Sequence, residues 1–330
     1  MDSVAGILRR HDAAIMQERI FADSSTMDAL SQTRAKSFAG RTDGVEPTWL
    51  TVPPNAQGPV CGMQVHAVAG CGRPKVLSVD GRPSGRLVRY GLNDYLTGCN
   101  LQADAPLSPD RQAQAMLAKA EALLNQAGGT LAHVARTWMW LGGILQWYGE
   151  FNRVRNDLFA ARGLLSTDAS GRLPASTGIG IGPWGGRICA MDFCAVLGGE
   201  QPQFLLAASK QGPASKYGSA FSRAAAARTP AGRTVYVSGT AAIDPVGQTT
   251  HIGDIRGQIE DTLTNVWAVL RDEGCRPEDI VQSIVYCKTP QVEQIFRAGW
   301  GDLSMPHLIV IADVCRDNLL FEVEAAAMPR

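Results

Sequence analysis

The sequence predicts an α+β protein that contains two similar units in tandem, each a mixed β-sheet with helices packed on one face. Three observations predict this fold class: a gapless internal repeat, an amphipathic helix before each copy, and strand-like segments around both helices. The chain has 330 residues, of which 45% are hydrophobic and 19% charged, so it is long enough for two domains with a sizeable core.

The internal repeat superimposes residues 123–142 on residues 269–288 without a gap. In this superposition Gly128 falls on Gly274, and each glycine stands near the predicted end of a helix. Glycine readily adopts the left-handed conformation that closes many helices, so both helices are expected to end there.

An amphipathic helix leads into each copy of the repeat. The first is predicted to begin at Ser108 and Pro109, because serine is a favoured N-cap and proline is favoured at the first helical position. Apolar residues recur at spacings of three and four, which places them on one face of each helix. These residues are Met116, Ala120, Leu124 and Ala127 in the first helix and Ile255, Ile259, Leu263, Val266 and Leu270 in the second.

Strand-like segments surround both helices in the same order, β, α, β, α, β, β. The first unit is predicted at about 88–198, within an N-terminal region 1–198, and the second unit at 234–330. Residues 199–233 are rich in Gly, Pro, Ser and Ala, and are predicted to form a connecting segment that contributes to a site. Upstream of the first unit, the sequence predicts a short N-terminal helix and a strand at 59–70.

The composition excludes several classes of protein. The formal net charge is zero, so nothing indicates a nucleic acid or a membrane surface as a partner. No apolar run approaches membrane-spanning length, and the N-terminus lacks the order of basic, apolar and small residues that marks a signal peptide. A cytoplasmic location is therefore the expectation.

The eight cysteines and five histidines do not form a metal-binding pattern. There is no Cys-x-x-Cys pair, and no two histidines stand at the spacing of metal ligands, so we expect no metal site. The cysteines are expected to be reduced and to serve as small buried hydrophobic residues.

The apolar segment 314–327 carries two carboxylates, Glu322 and Glu324. Side chains alternate between the two faces of a strand, so both glutamates are predicted to point the same way. Against the first copy of the repeat, Asp192 matches Glu324 and Ala190 matches Glu322. We therefore predict that Glu324 belongs to the scaffold shared by both units and that Glu322 is specific to the second.

The second unit resembles the Rid/YjgF-like fold through "VSGT" (237–240), "VLRDEGCRPEDIV" (269–281) and "FEVEAAA" (321–327). The resemblance implies relatives that are homotrimers with ligand sites at subunit interfaces, many of which hydrolyse imines or enamines. Their signature arginine follows by two residues the proline that opens the penultimate strand. Leu308 stands there in the second unit and Ser176 in the first, which argues against ordinary imine deaminase activity.

Nearly the whole chain resembles the chorismatases, long duplicated relatives of that fold that cleave chorismate to pyruvate and a ring product. The resemblance implies a small-molecule substrate, chorismate, and no cofactor, while the duplication leaves both a monomer and a homotrimer open. Five motifs in the right order carry it: "ARTWMWL…WYGEFNRVRN" (135–156), "LPASTGIG" (173–180), "YGSAFSRA" (217–224), "VSGTA" (237–241) and "C…FEVEA" (315–325).

Glu322 is the candidate catalytic acid. Loss of pyruvate from chorismate can begin with protonation of the terminal methylene carbon, which requires an acid that is still protonated near pH 7. Desolvation in an apolar strand and a dianionic ligand would both raise the pKa of this carboxyl. The resemblance matches the acidic residue of the family to the same position. The alternative is a structural glutamate that is hydrogen-bonded to the backbone or paired with an arginine.

Arginines and tyrosines are predicted to bind the two carboxylates of the substrate, since arginine suits planar bidentate pairing. Tyr148, Asn152 and Arg155 are spaced by four and three residues, which places them on one helix face. Tyr217 and Arg223 lie in the connecting segment, where ligand contacts are common. The alternative is that these arginines are ordinary surface charges.

The strand end "VSGTA" supplies three further candidates for substrate binding. Gly239 permits close approach of a ligand, Thr240 supplies a hydroxyl, and Ala241 follows them. The alternative is a tight turn with nothing bound.

Cys315 and Ala241 bear on the identity of the product. The resemblance implies that a cysteine seven residues before the acidic glutamate marks the hydroxybenzoate-forming branch, so Cys315 is a second candidate catalytic residue. Alanine after "SGT" is more typical of the water-adding branch, which releases a dihydroxycyclohexadiene carboxylate. A branch that makes both 3- and 4-hydroxybenzoate also fits a mixed pattern. We expect 3-hydroxybenzoate, with an imine or enamine hydrolase and a non-catalytic binding protein as alternatives.

Overall fold

The structure, a computed structural model, describes residues 1–165 and 171–329. The N-terminal region contains α1 (Asp2–Arg10), β1 (Ala14–Ala22), α2 (Met27–Ser37), β2 (Thr48–Thr51) and β3 (Val60–Val68). The first unit contains β4 (Lys75–Val79), β5 (Arg82–Tyr90), β6 (Asn93–Leu101), α3 (Pro109–Gln126), β7 (Val134–Leu141), α4 (Ile144–Ala161), β8 (Ala175–Ile179), β9 (Gly182–Pro183) and β10 (Cys189–Gly198). The second unit contains β11 (Gln203–Leu205), β12 (Ala224–Thr229), β13 (Gly232–Ala241), α5 (Ile255–Asp272), β14 (Ile280–Cys287), α6 (Pro290–Trp300), β15 (Leu308–Ile311) and β16 (Phe321–Ala327).

Two six-stranded sheets have the same topology, which confirms the duplication predicted from the sequence. Their strand orders are β4-β5-β6-β10-β7-β8 and β11-β12-β13-β16-β14-β15, so each strand of one sheet has a counterpart in the other. Both sheets are mixed, because β7–β8 and β14–β15 are parallel while their other neighbours are antiparallel. Apolar side chains of α3 and α4 cover one face of the first sheet, and those of α5 and α6 cover one face of the second.

The helix ends follow the predicted signals. Ser108 is the N-cap of α3 and Pro109 its first residue. Just beyond α3 and α5, Gly128 and Gly274 have φ angles of 76° and 71°, the left-handed region that closes a helix most readily with glycine.

Both sheets extend further toward the N-terminus than the predicted units. The first sheet begins at Lys75, upstream of residue 88, and the second begins at Gln203, upstream of residue 234. The segment predicted to connect the units therefore contains strands β11 and β12 besides its loops. The four alanines that begin β12 hid this strand, since alanine has a low β-propensity and becomes strand here through its pairing with β13.

The N-terminal region forms a third sheet that the sequence did not predict, although its helix α1 and strand β3 were expected. Its strand order is β3-β1-β2-β9, so the first unit contributes the edge strand β9. The inner faces of all three sheets pack into one core that includes Phe21, Trp140 and Tyr286. This arrangement leaves the helices of both units on the outside.

No helix within residues 1–165 and 171–329 combines the length and apolar character needed to cross a membrane. Six of the eight cysteines are buried, as expected for small hydrophobic residues.

Candidate active site

A cavity of about 150 Å³ opens at the junction of the two units. Strand β8 of the first unit is bound there to the second unit by three hydrogen bonds: Ser176 N donates to Ser238 Oγ (2.9 Å), Ser222 N to Pro174 O (3.1 Å) and Gly180 N to Asp313 O (2.8 Å). Helix α4, strands β8, β13 and β16, and the segment between β11 and β12 form the walls. An engineered protein cavity of about this volume accommodates benzene, so one six-membered ring fits.

The cavity brings together eight of the nine residues predicted for the site. They come from four separate stretches of the sequence: Tyr148, Arg155, Tyr217, Arg223, Gly239, Ala241, Cys315 and Glu322. Asn152, predicted to share the helix face of Tyr148 and Arg155, also lines the cavity.

Thr240 is the exception, because it does not line the cavity. Its side chain is buried on the face of β13 opposite Gly239 and Ala241, and its backbone pairs with Val323, which packs toward the helices. Its hydroxyl donates a hydrogen bond to Ser238 O at 2.9 Å. Strand alternation therefore makes this hydroxyl structural.

Glu322 lies on β16 between Ala241 of β13 and Tyr286 of β14. It is 4% exposed, and its carboxyl has no hydrogen-bond partner among the residues that the structure describes. Desolvation raises the pKa of this carboxyl to about 8, the negative charge of Glu324 adds to the rise, and Arg136 opposes it. At pH 7 the side chain is therefore mostly a neutral carboxylic acid that faces the cavity.

Glu324, unlike Glu322, is a structural carboxylate that is paired with an arginine. It accepts hydrogen bonds from Trp138 Nε1 (2.8 Å) and from Arg136 Nη2 (2.9 Å), and its side chain is buried. Asp192 stands at the equivalent position of β10 and pairs with Arg19 at 2.7 Å. The two carboxylates thus have the same role in the two units, whereas Glu322 has Ala190 as its counterpart.

Three arginines, Arg155, Arg223 and Arg316, line the cavity. Arg155 and Arg223 are 1% and 2% exposed, and none of the three pairs with a carboxylate in the described parts of the chain. Burial lowers the pKa of Arg155, as expected for a cation taken out of water without a counter-ion. With Glu322 neutral, the cavity carries an excess of positive charge.

Neutral groups hold these guanidinium groups in place. Arg155 Nη2 donates to Asn152 Oδ1 at 2.7 Å, Arg223 Nη2 donates to the Tyr217 hydroxyl at 2.7 Å, and Arg316 Nη1 donates to a backbone carbonyl at 2.8 Å. Arg223 and Arg316 also lie 5.6 Å and 5.2 Å from the ring centroid of Tyr217. Since these partners carry no negative charge, the positive charge remains available to a ligand.

Cys315 borders the cavity as a neutral thiol. Desolvation raises its pKa to about 12, and the nearby carboxylate of Glu322 acts in the same direction. Desolvation likewise raises the pKa of Tyr148 to about 12. Both groups are therefore protonated near pH 7, which makes them hydrogen-bond donors rather than nucleophilic anions.

Sequence reasoning missed several residues of the cavity wall. Most lie inside or beside the five motifs, so the motifs contained a signal for them: Ser176, Gly178, Ser219, Phe221, Ile243 and Arg316. The strand register also corrects one assignment. Trp138 opposes Thr177 as Ile284 opposes Leu308, so Thr177 rather than Ser176 is the counterpart of Leu308.

The fold is that of two tandem Rid/YjgF-like units with a cavity where they meet. Residues 214–328 match the family described as endoribonuclease L-PSP. A RutC family protein of Pyrococcus abyssi is 26% identical over 100 residues, which cover 29% of this chain and 79% of that protein.

The chain is, more particularly, similar in sequence to a chorismatase and has the chorismatase fold. A chorismatase of Streptomyces hygroscopicus is 29% identical over 213 residues, 58% of this chain, and the match spans 60% of that protein's length. The crystal structure of a chorismatase superposes with a TM-score of 0.69 at 20% identity, covering 96% of this chain and 93% of the other. The resemblance predicted from the five motifs is thereby confirmed.

Proposed function

We propose that the protein cleaves chorismate to pyruvate and 3-hydroxybenzoate without a cofactor, with Glu322 as the general acid. One observation carries the proposal: a carboxyl with a pKa of about 8 faces a cavity with three arginines that lack carboxylate partners in the described chain. A dianionic ligand with one acid-sensitive bond matches both features.

The substrate is bound through its two carboxylates. Arg155 and the pair Arg223 and Arg316 approach the cavity from α4 and from the second unit, so two separate cationic groups are available. Pairing of a guanidinium with a carboxylate in a desolvated site gives strong, geometrically specific hydrogen bonds. The hydroxyls of Tyr148 and Tyr217 are additional donors to the ligand.

The reaction begins with proton transfer from Glu322 to the terminal methylene carbon of the enolpyruvyl ether. The O–H bond of Glu322 breaks, a C–H bond forms, and the ether becomes an oxocarbenium-like cation next to the new carboxylate. An acid with a pKa near the working pH is suited to this task. The excess positive charge of the site is then partly balanced by the carboxylate that remains.

The ring product is assigned from Cys315. Its neutral thiol borders the cavity, at the sequence position that the resemblance associates with hydroxybenzoate formation by intramolecular attack of the ring hydroxyl. Ala241 opposes Glu322 on the adjacent strand and is the residue associated with water addition. A dihydroxycyclohexadiene carboxylate and 4-hydroxybenzoate are therefore the products to be distinguished from 3-hydroxybenzoate.

The test is incubation of the purified protein with chorismate, with pyruvate measured by a coupled dehydrogenase assay and ring products separated by chromatography. We expect stoichiometric pyruvate and 3-hydroxybenzoate from the wild-type protein and neither from Glu322→Gln. Absence of pyruvate would exclude the reaction, whereas pyruvate with a different ring product would overturn only the product assignment.

An imine or enamine hydrolase is the second candidate, favoured by the match of residues 214–328 to the endoribonuclease L-PSP family. Leu308 and Thr177 occupy the two positions where such relatives carry the arginine that binds the substrate, which weighs against it. Ammonia release from 2-iminopropionate, measured alongside the chorismate assay, distinguishes the two activities.

A further inference from the structure

Arg136 is a buried cation, and only one of its two terminal amino groups donates hydrogen bonds within the described chain. It lies on β7, is 1% exposed, and stands 4.8 Å from the ring centroid of Trp138. Its Nη2 donates to Glu324 Oε2 and to Thr177 Oγ1, while its Nη1 is buried with no partner in the described chain. An unpaired buried donor is costly and therefore calls for an explanation.

Thr177 connects Arg136 to the site of Glu322. Its hydroxyl accepts the hydrogen bond from Arg136. A β-carbon built on Gly239 would contact both the Thr177 methyl group, at 3.1 Å, and the Glu322 carboxyl, so these two side chains lie on the same side of β13. Glu322 and Glu324 also share one face of β16, so the guanidinium that holds Glu324 is within reach of Glu322.

We propose that Arg136 is a positioning residue whose free Nη1 group receives the Glu322 carboxylate once Glu322 has protonated the substrate. The inference rests on the proposed function for its place in catalysis. The structural part, a pairing between Arg136 and ionised Glu322, holds or fails independently of the substrate.

The charge balance of the buried site explains why such a partner is needed. Before proton transfer, the positive charge of Arg136 balances Glu324, and Glu322 is neutral. After transfer, the proton resides on the substrate carbon and two carboxylates lie two residues apart on one strand. A buried carboxylate without a partner is strongly unfavourable, and the guanidinium has a second pair of N–H donors to offer.

Tyr286 lies beside both glutamates of β16. It opposes Glu322 directly on β14, and its hydroxyl is buried with no hydrogen-bond partner in the described residues. The ionisable groups that surround Glu322 from its own and neighbouring elements are Glu324 on β16, Tyr286 on β14, Arg136 on β7, Tyr148 and Arg155 on α4, and Cys315 and Arg316 in the loop before β16.

The test measures ionisation of Glu322 directly, without substrate. Infrared difference spectra recorded along a pH titration follow the C=O band of protonated Glu322, which is identified by its absence in Glu322→Gln. Glu324→Gln removes the like charge and leaves Arg136 free, whereas the double variant Arg136→Gln/Glu324→Gln removes both charges and avoids an uncompensated carboxylate. We expect the titration midpoint to be at least one pH unit higher in the double variant than in Glu324→Gln.

Equal midpoints in these two variants, or a lower midpoint in the double variant, would overturn the pairing. The double variant Arg136→Lys/Glu324→Gln retains the charge but lacks the forked geometry, so we expect it to recover part of the difference between Arg136→Gln/Glu324→Gln and Glu324→Gln. Arg153→Gln, on the exposed face of α4, is the matched control and should leave the midpoint unchanged.

Turnover of chorismate then tests the catalytic part. In Arg136→Lys we expect kcat to fall at least tenfold with little change in KM, because substrate binding does not involve Arg136. An unchanged kcat, or a loss confined to KM, would overturn the positioning role. If no variant, including the wild type, releases pyruvate while the midpoints move as expected, the proposed function fails and the pairing stands.

Discussion

The carboxyl of Glu322 occupies space that Gly239 leaves open on the adjacent strand. A β-carbon on Gly239 would stand closer than 3.0 Å to Glu322 Oε1, a separation that folded proteins essentially never show. This part of the cavity wall is therefore made by two strands of the second unit, β16, which carries the Glu322 carboxyl, and β13, which lacks a side chain beside it. This relationship makes Gly239 a determinant of where the acid points.

Gly239→Ala should displace the Glu322 carboxyl and reduce kcat by roughly 100-fold, because small misplacement of a catalytic group has large effects. The backbone at Gly239 does not require a positive φ, so the variant should fold. Gly149→Ala, at an exposed position of α4 with no neighbouring atom within 4 Å, is the control and should retain full activity. Normal turnover in Gly239→Ala would contradict the proposed position of the acid.

The pH dependence of turnover should follow the ionisation of Glu322. The acid is active when protonated, and its pKa in the free protein is about 8, so kcat/KM should be level below that pH and fall roughly tenfold for each further pH unit above it. A profile of kcat/KM between pH 6 and 10, measured at low chorismate concentrations, tests this. A decline centred near the ordinary pKa of a glutamate would assign the acid role elsewhere.

Glu322→Gln should be more thermally stable than the wild type at neutral and alkaline pH. The pKa of Glu322 rises from 4.5 to about 8 on folding, so its favourable contribution is complete below pH 4.5 and is lost as the pH rises toward 8. The amide side chain of the variant cannot ionise, so the difference in Tm should widen between pH 5 and pH 8. Glu260→Gln, exposed on α5, provides the comparison; a constant difference at all pH values would contradict the shift.

Arg155→Met should raise KM by roughly 10- to 100-fold, since a hydrogen-bonded charge pair contributes about 1.5–3 kcal/mol. Because Arg155 is buried without a carboxylate partner in the described chain, its removal should leave the Tm of the free protein unchanged or higher. Arg153→Met, two residues earlier and exposed, should change neither quantity. A large fall in Tm with unaltered KM would indicate a structural role instead.

Cys315→Ala should change the ring product while pyruvate release continues. The neutral thiol borders the cavity but is not the proton donor, so its loss should favour water addition and the dihydroxycyclohexadiene carboxylate over 3-hydroxybenzoate. Chromatography of the ring products measures the ratio, with Cys71→Ala, a partly buried thiol outside the cavity, as the control. An unchanged product ratio would rule out Cys315 as the determinant.

Much of the fold was predictable because its signals are local. The spacing of apolar residues predicts α3 and α5, and Ser108, Gly128 and Gly274 mark helix ends through their own backbone preferences. The match of Asp192 to Glu324 required only the repeat, and the strand registers agree with it. Strand β12 escaped prediction, because alanine becomes strand only through the pairing it finds.

The sequence predicted the cavity residues that lie in recognisable motifs. It did not predict which residues strand and loop geometry would turn toward the cavity or away from it. The exclusion of Thr240 from the cavity depends on the face of β13 that the cavity occupies, and the inclusion of Arg316 depends on the path of the loop before β16. Neither is encoded in the order of neighbouring residues. Both follow from where the first unit meets the second.

By itself, the sequence determined the duplication, the helices and the residue types available for chemistry, since these depend on contacts between near neighbours in the chain. Only the tertiary structure decided what surrounds each of the two carboxylates of β16. Glu322 and Glu324 share one strand face, yet Glu324 meets Trp138 and Arg136 from the other unit whereas Glu322 meets an open cavity. The physical reason is that a carboxyl's pKa is set by its desolvation and by charges brought close through folding.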